Sequence, residues 1–105
     1  MKLLTKELLE KLPEIGSQEG MLENTVLYAK FFTPWTNWTW YVAEYSLGDR
    51  IFYGYVDGHE GEWGYFSLDE LEEIKGPGGL KIERDRFFKE TTYREMVNKW
   101  KRVSG

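Results

Sequence analysis

The chain has 105 residues and a mass of 12.5 kDa, the size of one domain spanning 1–105, and it contains no cysteine. The lack of cysteine excludes disulfides, thiolate metal sites and a cysteine nucleophile. A formal charge of −4 and a pI near 5.1 argue against duplex nucleic acid as a partner, since that binding depends on neutralising phosphates with Lys and Arg.

The first residues, Met1 to Glu7, are charged too early to supply the apolar core of a signal peptide, and no apolar run approaches the ~20 residues that span a bilayer. The expected location is the cytoplasm. Thr5 to Leu12 predicts a short helix, with Thr5 as cap and Leu8, Leu9 and Leu12 as its apolar stripe; Pro13 ends it. Gly16 to Asn24 is polar and punctuated by glycine, the pattern of a loop.

Thr25 to Phe32 predicts the first strand and Asn37 to Tyr45 the second, joined by the Thr33-Pro34-Trp35-Thr36 turn. Regular alternation puts Trp38, Trp40 and Val42 on one face of the second strand and Thr39, Tyr41, Ala43 and Tyr45 on the other. Arg50 to Val56 and Glu62 to Phe66 predict two more strands, each interrupted by a glycine between rings, Tyr53-Gly54-Tyr55 and Trp63-Gly64-Tyr65. If Gly54 and Gly64 are neighbours, they floor a shallow trough, or Trp38 or Trp40 packs over them.

Ser67 to Glu70 is a capping box that opens a helix over 68–75, stopped by Gly76-Pro77-Gly78-Gly79. Leu80 to Arg84 predicts a short fifth strand. Thr92 to Glu95 is a second capping box, opening a helix to about Arg102 with Tyr93, Met96, Val97 and Trp100 on one side. The sum is an α+β domain: a four- to five-stranded antiparallel meander packed with two or three short helices, the helices on one face.

Several motifs taken together, MKLLTKELLEKLP, KFFTPWTNWTWYVAE, FYGYVDG with GYFSLDEL, and GPGGLKIERDRFF, resemble the family called domain of unknown function 2958 over residues 1 to about 88. Its members are most alike in the aromatic turn and in Ile82-Glu83-Arg84-Asp85. Relatives often carry a longer acidic insert where this chain has the short link Ser46 to Asp49. The resemblance implies a setting on conjugative elements, plasmids and phages, and hence an accessory or counter-defence role. It brings no catalytic residues with it.

The residues themselves point to binding rather than catalysis. No Ser-His-Asp order, phosphate loop or paired-cysteine motif is present, and the one histidine, His59, sits among carboxylates in a hairpin loop. No metal or cofactor is expected. Aromatic rings combined with arginine suit a nucleotide-type ligand, because rings stack on bases and guanidinium pairs with phosphate in a bidentate manner. The expected ligand-binding set is Trp35, Asn37, Tyr41, Tyr45, Tyr53, Arg84 and Arg86.

The competing structural readings are a Trp35 folded back on the core and an alternating-charge strand at 81–86 that merely faces solvent. Two other functions compete with ligand sequestration. One is a protein–protein inhibitor of a host defence complex, acting through the Trp35 turn or the acidic helix 68–75. The other is a small hydrolase using His59. A homo-oligomer is compatible with a sheet this rich in aromatic residues.

Overall fold

A computed structural model describes residues 2–104. Its centre is a five-stranded antiparallel sheet built from β2 (Ala29–Phe32), β3 (Thr39–Ser46), β4 (Ile51–Asp57), β5 (Gly61–Ser67) and β6 (Glu83–Arg84), in the order β5-β4-β3-β2-β6. A two-stranded sheet pairs β1 (Val26–Leu27) with β7 (Thr91–Thr92). The helices are α1 (Lys6–Lys11), α2 (Leu68–Glu73) and α3 (Tyr93–Ser104). This is the expected α+β meander.

The helix starts are set by the expected side chains. The Leu8 amide donates to Thr5 Oγ1 at 3.2 Å, the Glu70 amide to Ser67 Oγ at 3.2 Å, and the Glu95 amide to Thr92 Oγ1 at 3.2 Å. The predicted first strand, in contrast, divides at Tyr28. Ala29–Phe32 pairs with β3, while Val26–Leu27 turns away to pair with β7.

The helices cover both faces of the sheet, not one. On the first face, α1, α2 and the N-terminal segment bury Leu3, Leu8, Leu68 and Leu71 against Phe31, Trp40, Val42, Phe52 and Phe66. On the second face, α3 lays Met96 and Trp100 over Leu27, Tyr41 and Ala43. A strand with large apolar side chains on both faces has to be covered twice, and β3 is buried from Trp40 to Tyr45.

Register explains where β3 departs from simple alternation. Val42 pairs with Gly54 and Glu44 with Tyr53, so Ala43 is an extra residue, a β-bulge. The bulge shifts the pleat by one position. Tyr45, expected beside Tyr41, therefore lies on the opposite face, with its ring 4.8 Å from that of Phe52.

Gly54 and Gly64 are direct cross-strand partners, as the trough reading required, yet their surroundings differ. A β-carbon on Gly54 would collide with the Tyr41 carbonyl, whereas one on Gly64 would meet only open space. Neither Trp38 nor Trp40 is what fills the position at Gly54; the backbone of β3 does. Gly54→Ala is therefore expected to lose about 3 kcal/mol of stability, because the obstacle is backbone in a packed sheet. Gly64→Ala should stay within about 0.5 kcal/mol of the parent. Urea unfolding midpoints of the two variants check the contrast.

Candidate functional site

The loop before β1 is held by a buried carboxylate. Glu44, next to the bulge and 4 % exposed, accepts the Gly16 amide on Oε1 at 2.8 Å and the Gln18 amide on Oε2 at 2.7 Å. Gln18, also buried, donates through Nε2 to the carbonyls of Val26 (3.0 Å) and Ala43 (3.2 Å) and accepts the Val26 amide on Oε1 at 2.7 Å. Its side chain thus satisfies the carbonyl of the bulged residue together with the amide and carbonyl of Val26 in β1.

Between this loop and the β4–β5 hairpin lies a cleft of about 490 Å³. One wall is a run of rings. Tyr53 lies 5.0 Å from Tyr65 and 6.0 Å from Trp63, with which it is stacked, and Trp63 lies 5.2 Å from Tyr93. The other wall carries Gly16, Gln18, Glu19, Gly20 and Glu23, and Glu44 also reaches it. Tyr53 is the only member of the expected binding set here. Trp63, Tyr65, Tyr93 and Glu44 were missed, although Trp63 and Tyr65 sit at the alternate positions that regular pairing places opposite Tyr55 and Tyr53.

A second, more open groove of about 500 Å³ runs beside the β2–β3 turn and β6. It brings together Asn37, Arg84 and Arg86 from the expected set, with Trp38, Lys30 and the exposed ring of Phe87. Glu83 and Asp85 line it too, and Asp85 lies 4.0 Å from Lys30. The antiparallel pairing of Phe31 with Arg84 is what carries the arginine segment to this edge.

The remaining expected residues are elsewhere. Trp35 packs against the first core and lies over Gly76, where an added β-carbon would overlap the indole. The ring is therefore a lid rather than an exposed tip. Tyr45 is buried in that core and its hydroxyl finds no hydrogen-bond partner among the described residues.

Tyr41 is buried under α3, its ring 6.0 Å from both Phe88 and Trp100. Neither Tyr41 nor Tyr45 offers a surface to a ligand. His59 lies edge-on to Trp38 at 5.6 Å. On α2, Asp69 receives Arg50 in a bidentate contact at 2.8 to 3.2 Å, and Glu72 lies 3.7 Å from the same guanidinium. The Arg50 hydrogen bonds hold the Asp69 carboxyl below its ordinary range. Two of the acids expected to present a negative helix are thereby paired.

Burial pushes the Tyr41 phenol up to about 12, and burial together with a hydrogen bond to Tyr93 does the same for Tyr55. In the unfolded chain both groups ionise near their ordinary value of 10. Their contribution to stability is complete below pH 10 and is lost as the pH rises toward 12, because the unfolded state releases these protons first. Absorbance titration at the phenolate band should show late-ionising tyrosines, Tyr41 and Tyr55 among them, together with a fall in unfolding midpoint over the same range. Tyr41→Phe should remove one of the late phenols.

A family described as "Protein of unknown function (DUF2958)" matches residues 3–103, which carries the likeness beyond Phe88 into α3. Comparison with curated proteins and with solved structures gave no significant match. No helix among the described residues is long and apolar enough to cross a membrane. With nearly its whole length matched, the chain belongs to the DUF2958 family.

Proposed function

We propose that this protein is a non-enzymatic binding module whose β2–β6 groove holds a nucleotide-type ligand. The observation that carries the reading is the convergence of Asn37, Arg84 and Arg86 on one groove beside Trp38. A guanidinium suits a phosphate, since it presents paired donors in a rigid fork, and Arg86 is exposed while Arg84 is part-buried beside it. The indole of Trp38 packs over Gly58 yet is still 36 % exposed, which leaves part of the ring for a base, and Asn37 supplies both a donor and an acceptor for a base edge. Lys30, Arg84 and Arg86 outnumber Glu83 and Asp85 along the groove, in a chain whose overall charge is −4. That local excess favours an anion despite the acidic protein around it.

Set against the mobile-element context that the family resemblance implies, retention of a nucleotide signal would disarm a host defence that depends on it. The role is sequestration, with the ligand released unchanged.

The test is a thermal-shift screen with nucleoside monophosphates, diphosphates and cyclic nucleotides. A ligand at 100 times its Kd should add about 2.7 kcal/mol of stability. Arg86→Ala, at an exposed position, should weaken the hit by roughly tenfold or more, the range for a lost charge-assisted hydrogen bond. Chromatography should recover the ligand intact. No stabilisation by any of these nucleotides, or their conversion to product, would contradict the proposal.

A further inference from the structure

The cleft between the Gly16–Thr25 loop and the β4–β5 hairpin has a chemistry opposite to that of the groove. Its lining contains three carboxylates, on Glu19, Glu23 and Glu44, and no Lys, Arg or His. Its aromatic wall is continuous from Tyr65 through Tyr53 and Trp63 to Tyr93, with successive centroids 5.0 to 6.0 Å apart. Aromatic faces attract cations through the ring quadrupole, most strongly where water is excluded.

A second observation concerns charge. Glu44 is 4 % exposed, its two carboxylate oxygens accept the Gly16 and Gln18 amides, and it forms no salt bridge among the described residues. The two amides hold the carboxylate in place without neutralising it, so a cation in the cleft would supply the counter-charge. Glu23 is already paired, 3.1 Å from Arg94, so the acids left to face a ligand in the cleft are Glu44 and Glu19. A volume of about 490 Å³ lies within the range of small-molecule sites.

We propose that this cleft is a second binding site, for a small organic cation bearing a quaternary ammonium or guanidinium head group. The head group sits against Tyr53, Trp63 and Tyr65 and is balanced by Glu44 and Glu19. Neither group can deprotonate at neutral pH, and both are weakly hydrated, so they exchange water for ring faces at lower cost than a primary ammonium. Tyr65, 67 % exposed, forms the outer edge of the wall, a position no core packing explains.

The site is independent of the β2–β6 groove, and its test separates the two. Choline and agmatine serve as probes, with 3,3-dimethylbutan-1-ol as the neutral isostere of choline, followed by tryptophan fluorescence and calorimetry. At least one cation should bind saturably and about tenfold or more tighter than the neutral alcohol. Tyr65→Ala and Glu19→Gln, both at exposed positions, should each weaken binding by about threefold, and Arg86→Ala should leave it unchanged. Absence of saturable binding at millimolar probe, equal binding of the alcohol, or indifference to both cleft variants would overturn the assignment. So would affinity that appears only when the guanidinium is carried on a peptide.

Discussion

The irregularity in the middle of β3 is the feature on which the rest of the structure depends. One extra residue, Ala43, breaks the alternation between Val42 and Glu44. Tyr45 is thereby turned into the first core, where it meets Phe52, and Glu44 is turned toward the N-terminal loop. The bulge also leaves the Ala43 carbonyl without a ladder partner, and Gln18 enters from the loop to satisfy it. Loop, central strand and β1 are therefore joined by two side chains, Glu44 and Gln18. The cleft exists because that junction holds the loop away from the rings of β4 and β5.

Burial on both faces of the sheet divides the aromatic residues by task. Phe31, Phe52, Phe66 and Tyr45 fill one core, while Tyr41, Tyr55, Phe88 and Trp100 form the other beneath α3. Trp35 closes the first core over Gly76. The rings left over gather at two margins. Trp38 and Phe87 stand beside arginine, and Tyr53, Trp63 and Tyr65 stand beside glutamate. The two margins therefore differ in the charge they present as well as in position.

Much of this was legible from residue pattern. Thr5, Ser67 and Thr92 announced three helix starts through their chemistry, and each cap is made as expected. Pro34 marked the turn between the first two long strands, and the aromatic runs marked strands. What alternation could not carry was the bulge, because a period of two assumes an unbroken pleat. Tyr45 was assigned to the wrong face for that reason alone.

One signal was present: Glu44, a carboxylate within an aromatic strand, is a residue that burial tolerates only with dedicated donors. Those donors come from Gly16 and Gln18, 28 and 26 positions away, in a stretch whose composition reads as plain loop. Of the seven expected binding residues, Asn37, Arg84 and Arg86 meet in one groove because antiparallel pairing brings β6 to β2. Tyr53 faces the other site, and Trp35, Tyr41 and Tyr45 serve the cores.

The claim that Glu44 and the bulge organise the molecule is tested most directly by amide hydrogen exchange, comparing the parent with Glu44→Ala. In the parent, the amides of Gly16 and Gln18 should be protected despite lying in a loop, because their hydrogens are held by a buried carboxylate. In the variant they should exchange rapidly, with Val26 following as Gln18 is released, while Phe52 and Val56 in β4 keep their protection. Rapid exchange at Gly16 and Gln18 in the parent would contradict the account, as would unchanged protection in the variant.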